Sequence, residues 1–297
     1  MWREGRFVSF SQNFINNPNL IKRLIKQSDI SISDIVIEIG AGKGVITKQL
    51  CKTCKHVIAI EIDSNLYNQL LNNLKIGNIT LINNNILRVN LPKTGYKVFS
   101  NIPFNYTSRI MNKLYFQGNP PQSAYLIMQR EAGNIYIGYP RETQKSLLLK
   151  PFFRIEVFHR FNKTIFRPTP SIDANMLQIK VVKNPILEKG SMLEYFDFVV
   201  YGTTQYKNTL KKSLSKIFTH EQFKRLSKDL EFSVEAKPLD LTYIQWVKLY
   251  KYYKYAVIDK KKMIVNGSYH KQELLQKHLK KSFRTRNPKI LRNSQKT

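Results

Sequence analysis

The chain contains a four-residue motif, Asn101-Ile102-Pro103-Phe104, whose residue types suit chemistry on the amino group of an aromatic base. An exocyclic amine such as N6 of adenine is a poor nucleophile because its lone pair is delocalised into the ring. The side-chain carbonyl of Asn101 and the backbone carbonyl of Ile102 could accept its two N–H hydrogens and so localise that lone pair. Pro103 adds no competing N–H donor, and Phe104 can stack on a base that has left its helix. The motif predicts methyl transfer to a base amine.

A glycine-rich segment, Glu38 to Gly44 (E-I-G-A-G-K-G), precedes this motif by about sixty residues and lies between a β-rich run and a helical one. Glycines there permit a tight turn and a close approach of the backbone to a ligand. The spacing G-x-G-x-G differs from the dinucleotide fingerprint G-x-G-x-x-G, and the phosphate-loop pattern is absent. S-adenosylmethionine (SAM), which has no phosphates, fits better. Gly40 and Gly42 are therefore predicted cofactor contacts.

The ends of the next two strands offer further cofactor contacts. Glu61 lies about twenty residues beyond the glycine turn, where its carboxylate can accept hydrogen bonds from both ribose hydroxyls, and Ile62 follows it. The alternative for Glu61 is a solvated charge at a strand end. After the third strand, Asn85 could accept from the cofactor's adenine amine while the Ile86 N–H donates to the ring. Ligands of open α/β sheets lie at the carboxyl ends of the strands, so cofactor and target base would meet above Asn101.

Short β-rich runs alternate with helical stretches over residues 34–184, which indicates the elements that position these side chains. Strands separated by single helices imply right-handed crossovers and a parallel sheet covered on both faces. The predicted fold class is α/β, a doubly wound, mostly parallel Rossmann-like sheet with a small all-α domain after it. The predicted strands are 35–39, 56–62, 79–82, 97–101, 124–128, 155–159 and 176–182.

The composition divides the chain into three predicted parts. Residues 1–184 form the catalytic domain, residues 185–258 a small helical RNA-binding domain, and residues 259–297 a partly disordered basic tail. Between residues 260 and 297 there are nine Lys and three Arg against a single acidic residue, Glu273. We expect this tail to strengthen RNA binding.

The net charge favours a polyanionic partner. The 297 residues include 49 basic and 20 acidic side chains, a formal charge of +29, and such a charge usually accompanies nucleic-acid binding. An acidic membrane surface is the alternative, but no convincing amphipathic anchor helix is present. Five cations are candidate phosphate contacts, although a solvated charge is the commoner role for any one such residue. They are Arg130, Arg141, Lys145, Arg160 and Lys163.

Other features indicate a cytoplasmic protein without a metal. No apolar run is long enough to span a bilayer, and the N-terminus lacks the apolar segment of a signal peptide. Cys51 and Cys54 form a lone C-x-x-C, whereas zinc needs about four ligands. We interpret the two cysteines as small buried hydrophobes.

In combination and order, these motifs resemble the rRNA adenine-N6 methyltransferase family, which includes the erythromycin-resistance methyltransferases of 23S rRNA and the small-subunit adenine dimethyltransferases. The likeness runs from about Phe10 to Tyr255. Residues 11–15 (S-Q-N-F-I) look like the family's N-terminal segment, which implicates Asn13 and Ile15 in holding the methionine part of SAM. Residues 166–170 (F-R-P-T-P) are similar to the family's F-x-P-x-P turn, whose Phe, here Phe166, would pack on the flipped adenine opposite Phe104.

The form N-I-P-[YF] resembles the resistance branch more than the N-L-P-Y of small-subunit enzymes. The resemblance implies SAM-dependent mono- or dimethylation of an adenine in 23S rRNA or its precursor, giving macrolide-lincosamide-streptogramin B resistance. We expect the protein to act on RNA as a monomer. There are two alternatives. One is an enzyme that dimethylates small-subunit rRNA, and the other is a non-catalytic RNA-binding or transcription factor with the same fold. Two positions depart from the family pattern: Asn85 stands where Asp is usual, and Phe104 where Tyr is commoner.

Overall fold

A mixed β-sheet with helices on both faces forms the centre of the protein. A computed structural model describes residues 14–74, 77–93, 95–169, 172–205 and 207–278. Asn13, a predicted cofactor contact, lies outside these residues. The strands are β1 (Phe14–Ile15), β2 (Ile35–Ile39), β3 (His56–Glu61), β4 (Ile79–Asn83), β5 (Tyr96–Asn101), β6 (Ser123–Gln129), β7 (Phe153–Phe161), β8 (Phe166–Arg167) and β9 (Ala174–Val181).

The main sheet has the order β4-β3-β2-β5-β6-β9-β7. The first five strands in this order are parallel, and β9 is antiparallel to both of its neighbours. This arrangement confirms the predicted doubly wound, mostly parallel fold, with each predicted strand recovered to within a few residues. A separate short ladder pairs β1 with β8.

Helices connect the strands and continue after the last one. The helices among the strands are α1 (Pro18–Gln27), α2 (Val45–Leu50), α3 (Ser64–Asn73), α4 (Thr107–Tyr115), α5 (Arg130–Ile137) and α6 (Gln144–Leu149). Those after β9 are α7 (Met192–Thr204), α8 (Leu210–Ser213), α9 (His220–Asp229), α10 (Tyr243–Ala256), α11 (Asp259–Val265) and α12 (Ser268–His278).

Both faces of the sheet are buried, which explains the apolar runs of its central strands. Successive side chains of a strand point to opposite faces, so Val36 packs with α1 and α2 on one side while Ile37 joins the other core. That second core continues into the C-terminal helices, where Phe198 and Trp246 are fully buried. Fully burying such side chains stabilises the fold by roughly 1.5–3 kcal/mol each.

The register of the parallel strands brings distant segments to one edge of the sheet. Ile39 lies opposite Ile60, Glu61 opposite Asn83, and Asn101 opposite Ile127. The glycine turn, Glu61 and the N-I-P-F motif therefore all lie at the carboxyl ends of neighbouring strands.

The segment predicted as a basic tail begins with two helices, α11 and α12. Val265 of α11 and Tyr269 of α12 are buried, and α12 packs along α7. The predicted division into three parts stays a prediction, and the residues beyond 278 lie outside the described ranges.

Candidate active site

The glycine turn has a backbone that favours glycine at each of its alternate positions. Gly42 has a φ of +55°, and a Cβ there would come within 2.7 Å of the Phe14 ring. Gly44, with a φ of +78°, leads directly into α2, and its Cβ would meet Leu70 at 2.7 Å. A side chain at either position would displace a neighbouring apolar side chain as well as strain the backbone.

Glu61 is held by backbone donors from both sides. Its Oε2 accepts from the N–H of Gly42 at 2.8 Å, and its Oε1 accepts from the N–H of Asp63 at 2.9 Å. Burial raises the pKa of this carboxyl, and the backbone hydrogen bonds partly oppose that effect. Each oxygen has a further lone pair, so the group is oriented in advance to accept from a pair of hydroxyls.

A cavity of about 800 Å³ opens at this edge of the sheet. Nine predicted site residues line it: Gly40, Gly42, Glu61, Ile62, Asn85, Ile86, Asn101, Ile102 and Phe104. Phe14, Tyr106 and Ile110, which were not predicted as site residues, also line it. Asn84, which precedes Asn85 at the end of the third strand, lines it as well.

Asn85 begins a short 3₁₀ turn, Ile86–Arg88, at one end of this cavity. Its Oδ1 accepts from the Leu87 N–H at 3.0 Å, as an N-cap does. The carbonyl oxygen expected to meet the cofactor's adenine is therefore also fixing the turn that presents Ile86.

The N-I-P-F loop is fastened at both ends. The Ile102 N–H donates to the Ile127 carbonyl on β6 at 3.2 Å. At the other end, the Thr107 hydroxyl donates to the Phe104 carbonyl at 3.0 Å and joins the loop to α4. Asn101 and Ile102 both line the cavity, so the predicted amine-binding carbonyls belong to residues with little freedom to move.

Phe166, the second predicted stacking residue, is fully buried. Its ring meets the Phe104 ring edge-on, with centroids 6.4 Å apart and planes at 69°, and it also contacts Phe161. The pairing of β1 with β8 places Ile15 opposite Phe166. In this conformation Phe166 supports Phe104 and presents no open face to a base, so its stacking role stays a prediction.

A second cavity, of about 690 Å³, adjoins the first and shares Phe14, Gly40 and Asn101 with it. Ile15, a predicted cofactor contact, lines this second cavity. Lys43 and Arg167 line it too, and sequence reasoning selected neither of them.

Glu38 also lines this second cavity and was not predicted as a site residue. It is 1% exposed, and its Oε2 has no hydrogen-bond partner among the described residues. Burial, together with the neighbouring Glu61, raises the pKa of Glu38 to about 8. An acidic residue inside the apolar run I-V-I-E-I was the available signal, because a buried carboxyl needs a partner.

The predicted phosphate contacts are divided between different environments. Arg130 and Lys163 lie near the carboxyl edge of the sheet, where Arg130 pairs with Asp173 at 3.0 Å. Lys163 is exposed, as are Arg141 and Arg160.

Lys145 differs from the other four. Its ammonium lies 4.4 Å from the centroid of the Phe116 ring, and burial lowers its pKa while the charge of Glu273 raises it. Lys145 therefore belongs to an intramolecular junction, and its role as an RNA contact stays a prediction.

The two cysteines are inert. Both are buried, the Cys54 thiol donates to the Leu50 carbonyl at 3.2 Å, and burial raises the pKa of each to about 11. Among the residues that the structure describes, no cluster of His, Cys, Asp or Glu could hold a metal ion. Within the same ranges, no helix combines the length and apolarity needed to cross a membrane.

The fold and the glycine-lined cavity define a Rossmann-like methyltransferase. A family model described as ribosomal RNA adenine dimethylase matches residues 6–255. The chain therefore belongs to that family, which confirms the resemblance drawn from its motifs. It is an rRNA adenine-N6 methyltransferase, and enzymes of this family generally take their methyl group from SAM. The non-catalytic alternative is not supported.

Relatives of the chain carry two kinds of name. It is 30% identical over 251 residues to an rRNA adenine N-6-methyltransferase of Bacillus licheniformis, covering 83% of this chain and 87% of the relative. It is 32% identical over 217 residues to ribosomal RNA small subunit methyltransferase A of Mycoplasmopsis pulmonis, covering 72% and 84%.

Solved structures share the fold, and two of them align with 82% of this chain. The 23S rRNA methyltransferase ErmE superposes with a TM-score of 0.72 at 21% identity, covering 82% of this chain and 100% of that one. A dimethyladenosine transferase from Plasmodium falciparum gives 0.66 at 19% identity, covering 82% and 98%.

Proposed function

We propose that this enzyme methylates N6 of an adenine in 23S rRNA with SAM as donor, and thereby confers macrolide-lincosamide-streptogramin B resistance. The observation that supports the chemistry is the N-I-P-F loop, fastened at the mouth of a cavity that Glu61 and the glycine turn also line. The choice of 23S rRNA rests on the Ile in N-I-P-F, the form typical of the resistance branch. Because ribosomal RNA is the substrate, we propose that the enzyme acts in the cytoplasm. We also propose that it acts as a monomer.

SAM would occupy both cavities. Glu61 would accept from the ribose hydroxyls, and Asn85 with Ile86 would meet the adenine ring. The methionine part would enter the second cavity beside Ile15, where the unsatisfied Glu38 oxygen suits an ammonium group. The residues present thus suit the ribose, the adenine and the ammonium group of SAM.

The junction of the two cavities defines the place of reaction. Asn101 lines both cavities, so a donor that spans them brings its methyl group beside this side chain. SAM supplies an electrophilic methyl carbon there, and the protein supplies the geometry. Holding the two reactants in contact removes much of the entropic barrier.

The base would be held by its amine and its ring. Asn101 and the Ile102 carbonyl accept the two N–H hydrogens, and Phe104 fixes the plane of the base. Positive charge that develops on nitrogen meets two carbonyl dipoles already in place. The proton leaves after transfer, so the mechanism needs no general base.

Replacing Asn101 tests this account. Asn101→Ala should lower the single-turnover rate by about 10²–10³, the effect of removing one preorganised polar group in comparable sites. The measurement is transfer of tritium from labelled SAM into rRNA, with circular dichroism to establish folding. A folded variant with the rate of the natural enzyme would contradict the mechanism.

The target is tested separately. Mass spectrometry of digested rRNA from cells expressing the chain should detect N6-methylated adenine in 23S rRNA, and those cells should tolerate erythromycin. Methylation confined to the small-subunit rRNA would instead favour the housekeeping dimethylation suggested by the likeness to the Mycoplasmopsis pulmonis enzyme.

A further inference from the structure

The helix pair α11–α12 lies beyond residues 6–255, the part of the chain that the family model covers. The family's shared chemistry therefore does not account for it. Its contacts reach both the C-terminal helices and the part of the chain that carries the active site.

Asp197 of α7 anchors the start of α12. Its Oδ2 accepts from the Gly267 N–H at 2.9 Å, and its Oδ1 accepts from the Tyr269 N–H at 2.8 Å. A carboxylate at a helix N-terminus satisfies backbone donors that lack partners within the helix and complements the helix dipole. Both the position and the direction of α12 are set by this contact.

Two residues one turn apart on α12 then contact α4 and the residue that follows it. The ring of Tyr269 stacks with Phe116, with centroids 6.2 Å apart and planes at 23°. Glu273 accepts from the Asn112 side-chain amide at 3.3 Å. Residues four apart share a helix face, so these two pairs join α12 and α4 in antiparallel fashion.

The contact between α12 and α4 places an acidic side chain of a basic segment beside complementary groups. Glu273 is the single acidic residue between 260 and 297. Burial lowers the pKa of Lys145, and the charge of Glu273 opposes that effect. The Lys145 ammonium also lies over the Phe116 ring. One anion in a strongly basic segment thus faces a cation and an amide donor of the catalytic part.

Helix α4 leads directly to the base-binding loop. It begins at Thr107, whose hydroxyl donates to the Phe104 carbonyl, and its Ile110 lines the cofactor cavity. A shift of α4 would therefore displace both the stacking ring and a wall of that cavity.

We propose that α12 is a positioning element for methyl transfer, in which Tyr269 and Glu273 hold α4 and through it the loop that carries Phe104. The proposal rests on the enzyme's methyltransferase activity, and the choice between 23S and small-subunit rRNA does not affect it. Neither Tyr269 nor Glu273 lines the two cavities of the candidate active site, so both would act through α4.

The first test compares Tyr269→Ala and Glu273→Ala with Leu275→Ala, a matched control on the same helix whose side chain is 69% exposed. With RNA and SAM both saturating, the two junction variants should lower the single-turnover rate by about tenfold, since small misplacements of reacting groups are costly. RNA affinity should change by less than about twofold, because neither side chain is a cation that could neutralise a phosphate. Leu275→Ala should behave as the natural enzyme does.

A conservative variant and a double-mutant cycle separate positioning from general damage. Glu273→Gln keeps an oxygen that can accept from Asn112, so it should retain most of the rate that Glu273→Ala forfeits. Asn112→Ala combined with Glu273→Ala should be no slower than the slower single variant, since both remove the same hydrogen bond. Folded junction variants with an unchanged rate, or effects confined to RNA affinity, would overturn the proposal.

Hydrogen exchange of the RNA-free enzyme supplies a readout that does not depend on the substrate. Amides of α4 should exchange faster in both junction variants, while those of α2 on the other side of the sheet keep their rates. Equal protection of α4 in all variants would refute the positioning role of α12 even if the assigned rRNA target were correct. A natural enzyme that leaves 23S rRNA unmethylated and modifies another rRNA would refute only the target.

Discussion

Glu38 and Glu61 lie near the ends of neighbouring strands and are almost inaccessible to water, yet their surroundings differ. Glu61 has a backbone N–H on each oxygen. Glu38 has an oxygen without a partner among the described residues and a pKa raised to about 8 by burial. Glu61 therefore has hydrogen-bond partners without any ligand. Burying the Glu38 carboxyl costs free energy, and a bound cation would offset that cost.

The unsatisfied carboxyl should make stability depend on pH. The native state holds the Glu38 proton up to about pH 8, whereas the unfolded chain releases it near its usual value of 4.5. Stability from this group is therefore complete below that lower value and declines as pH rises towards 8. Glu38→Gln cannot ionise, so its Tm should exceed that of the natural enzyme at pH 9 and match it near pH 4.

Thermal unfolding of both ligand-free proteins at several pH values measures this difference. The same variant should bind SAM more weakly at neutral pH, because Gln has no proton to release and so cannot become the anion that would match the ammonium charge. A Tm difference that stays constant with pH would show that Glu38 does not titrate in this window.

At the scale of elements, two short 3₁₀ turns shape the cofactor cavity. One follows Pro103 and presents Phe104, and the other follows Asn85 and presents Ile86. Each is fixed by local hydrogen bonds, so its geometry follows from residues adjacent in the chain. The contact of α12 with α4 then fixes the first of these turns to the C-terminal helices.

Asn85 stands where the family usually has Asp, and replacing it with Asp tests the effect of that difference. Asn85→Asp keeps an N-cap oxygen for the Leu87 N–H and adds a charge where the adenine amine of SAM should donate. Hydrogen bonds to charged acceptors are worth about 1 kcal/mol more than neutral ones, so SAM affinity should rise by about fivefold. Calorimetric titration checks this, with Asn84→Asp as the neighbouring control. An unchanged or weaker affinity would place the adenine elsewhere.

At the scale of the whole molecule, the basic residues that give the charge of +29 lie in different environments. Arg160 and Lys163 are exposed, while Lys145 is engaged with Phe116. The C-terminal segment also contains charges in two settings. Glu273 of α12 contacts Asn112 inside the protein, whereas residues 279–297 contain seven basic residues and no acidic one.

Removing residues 279–297 should weaken RNA binding without slowing methyl transfer at saturating RNA. The slope of log affinity against log salt should become shallower, by somewhat less than one for each phosphate that the truncated enzyme no longer neutralises. Filter binding across a range of salt concentrations measures it. The junction variants at Tyr269 and Glu273 should show the reverse, a slower reaction with an unchanged slope. An unaltered slope after truncation would leave these cations without a role in RNA binding.

The amino-acid sequence was sufficient to predict the sheet, the glycine turn, Glu61 and the Asn101 loop. Each depends on neighbours within one strand–turn unit, and the rule that parallel strands share a carboxyl edge brings the units together. Only the folded chain showed three other features. They are the position of Glu38 beside a second cavity, the burial of Phe166 and the contact of Lys145 with the Phe116 ring. The docking of α12 on α4 also emerged only from the folded chain, since Asn112 and Glu273 are 161 residues apart. Contacts across that separation arise from the packing of whole helices, and no local pattern encodes which side chains will meet.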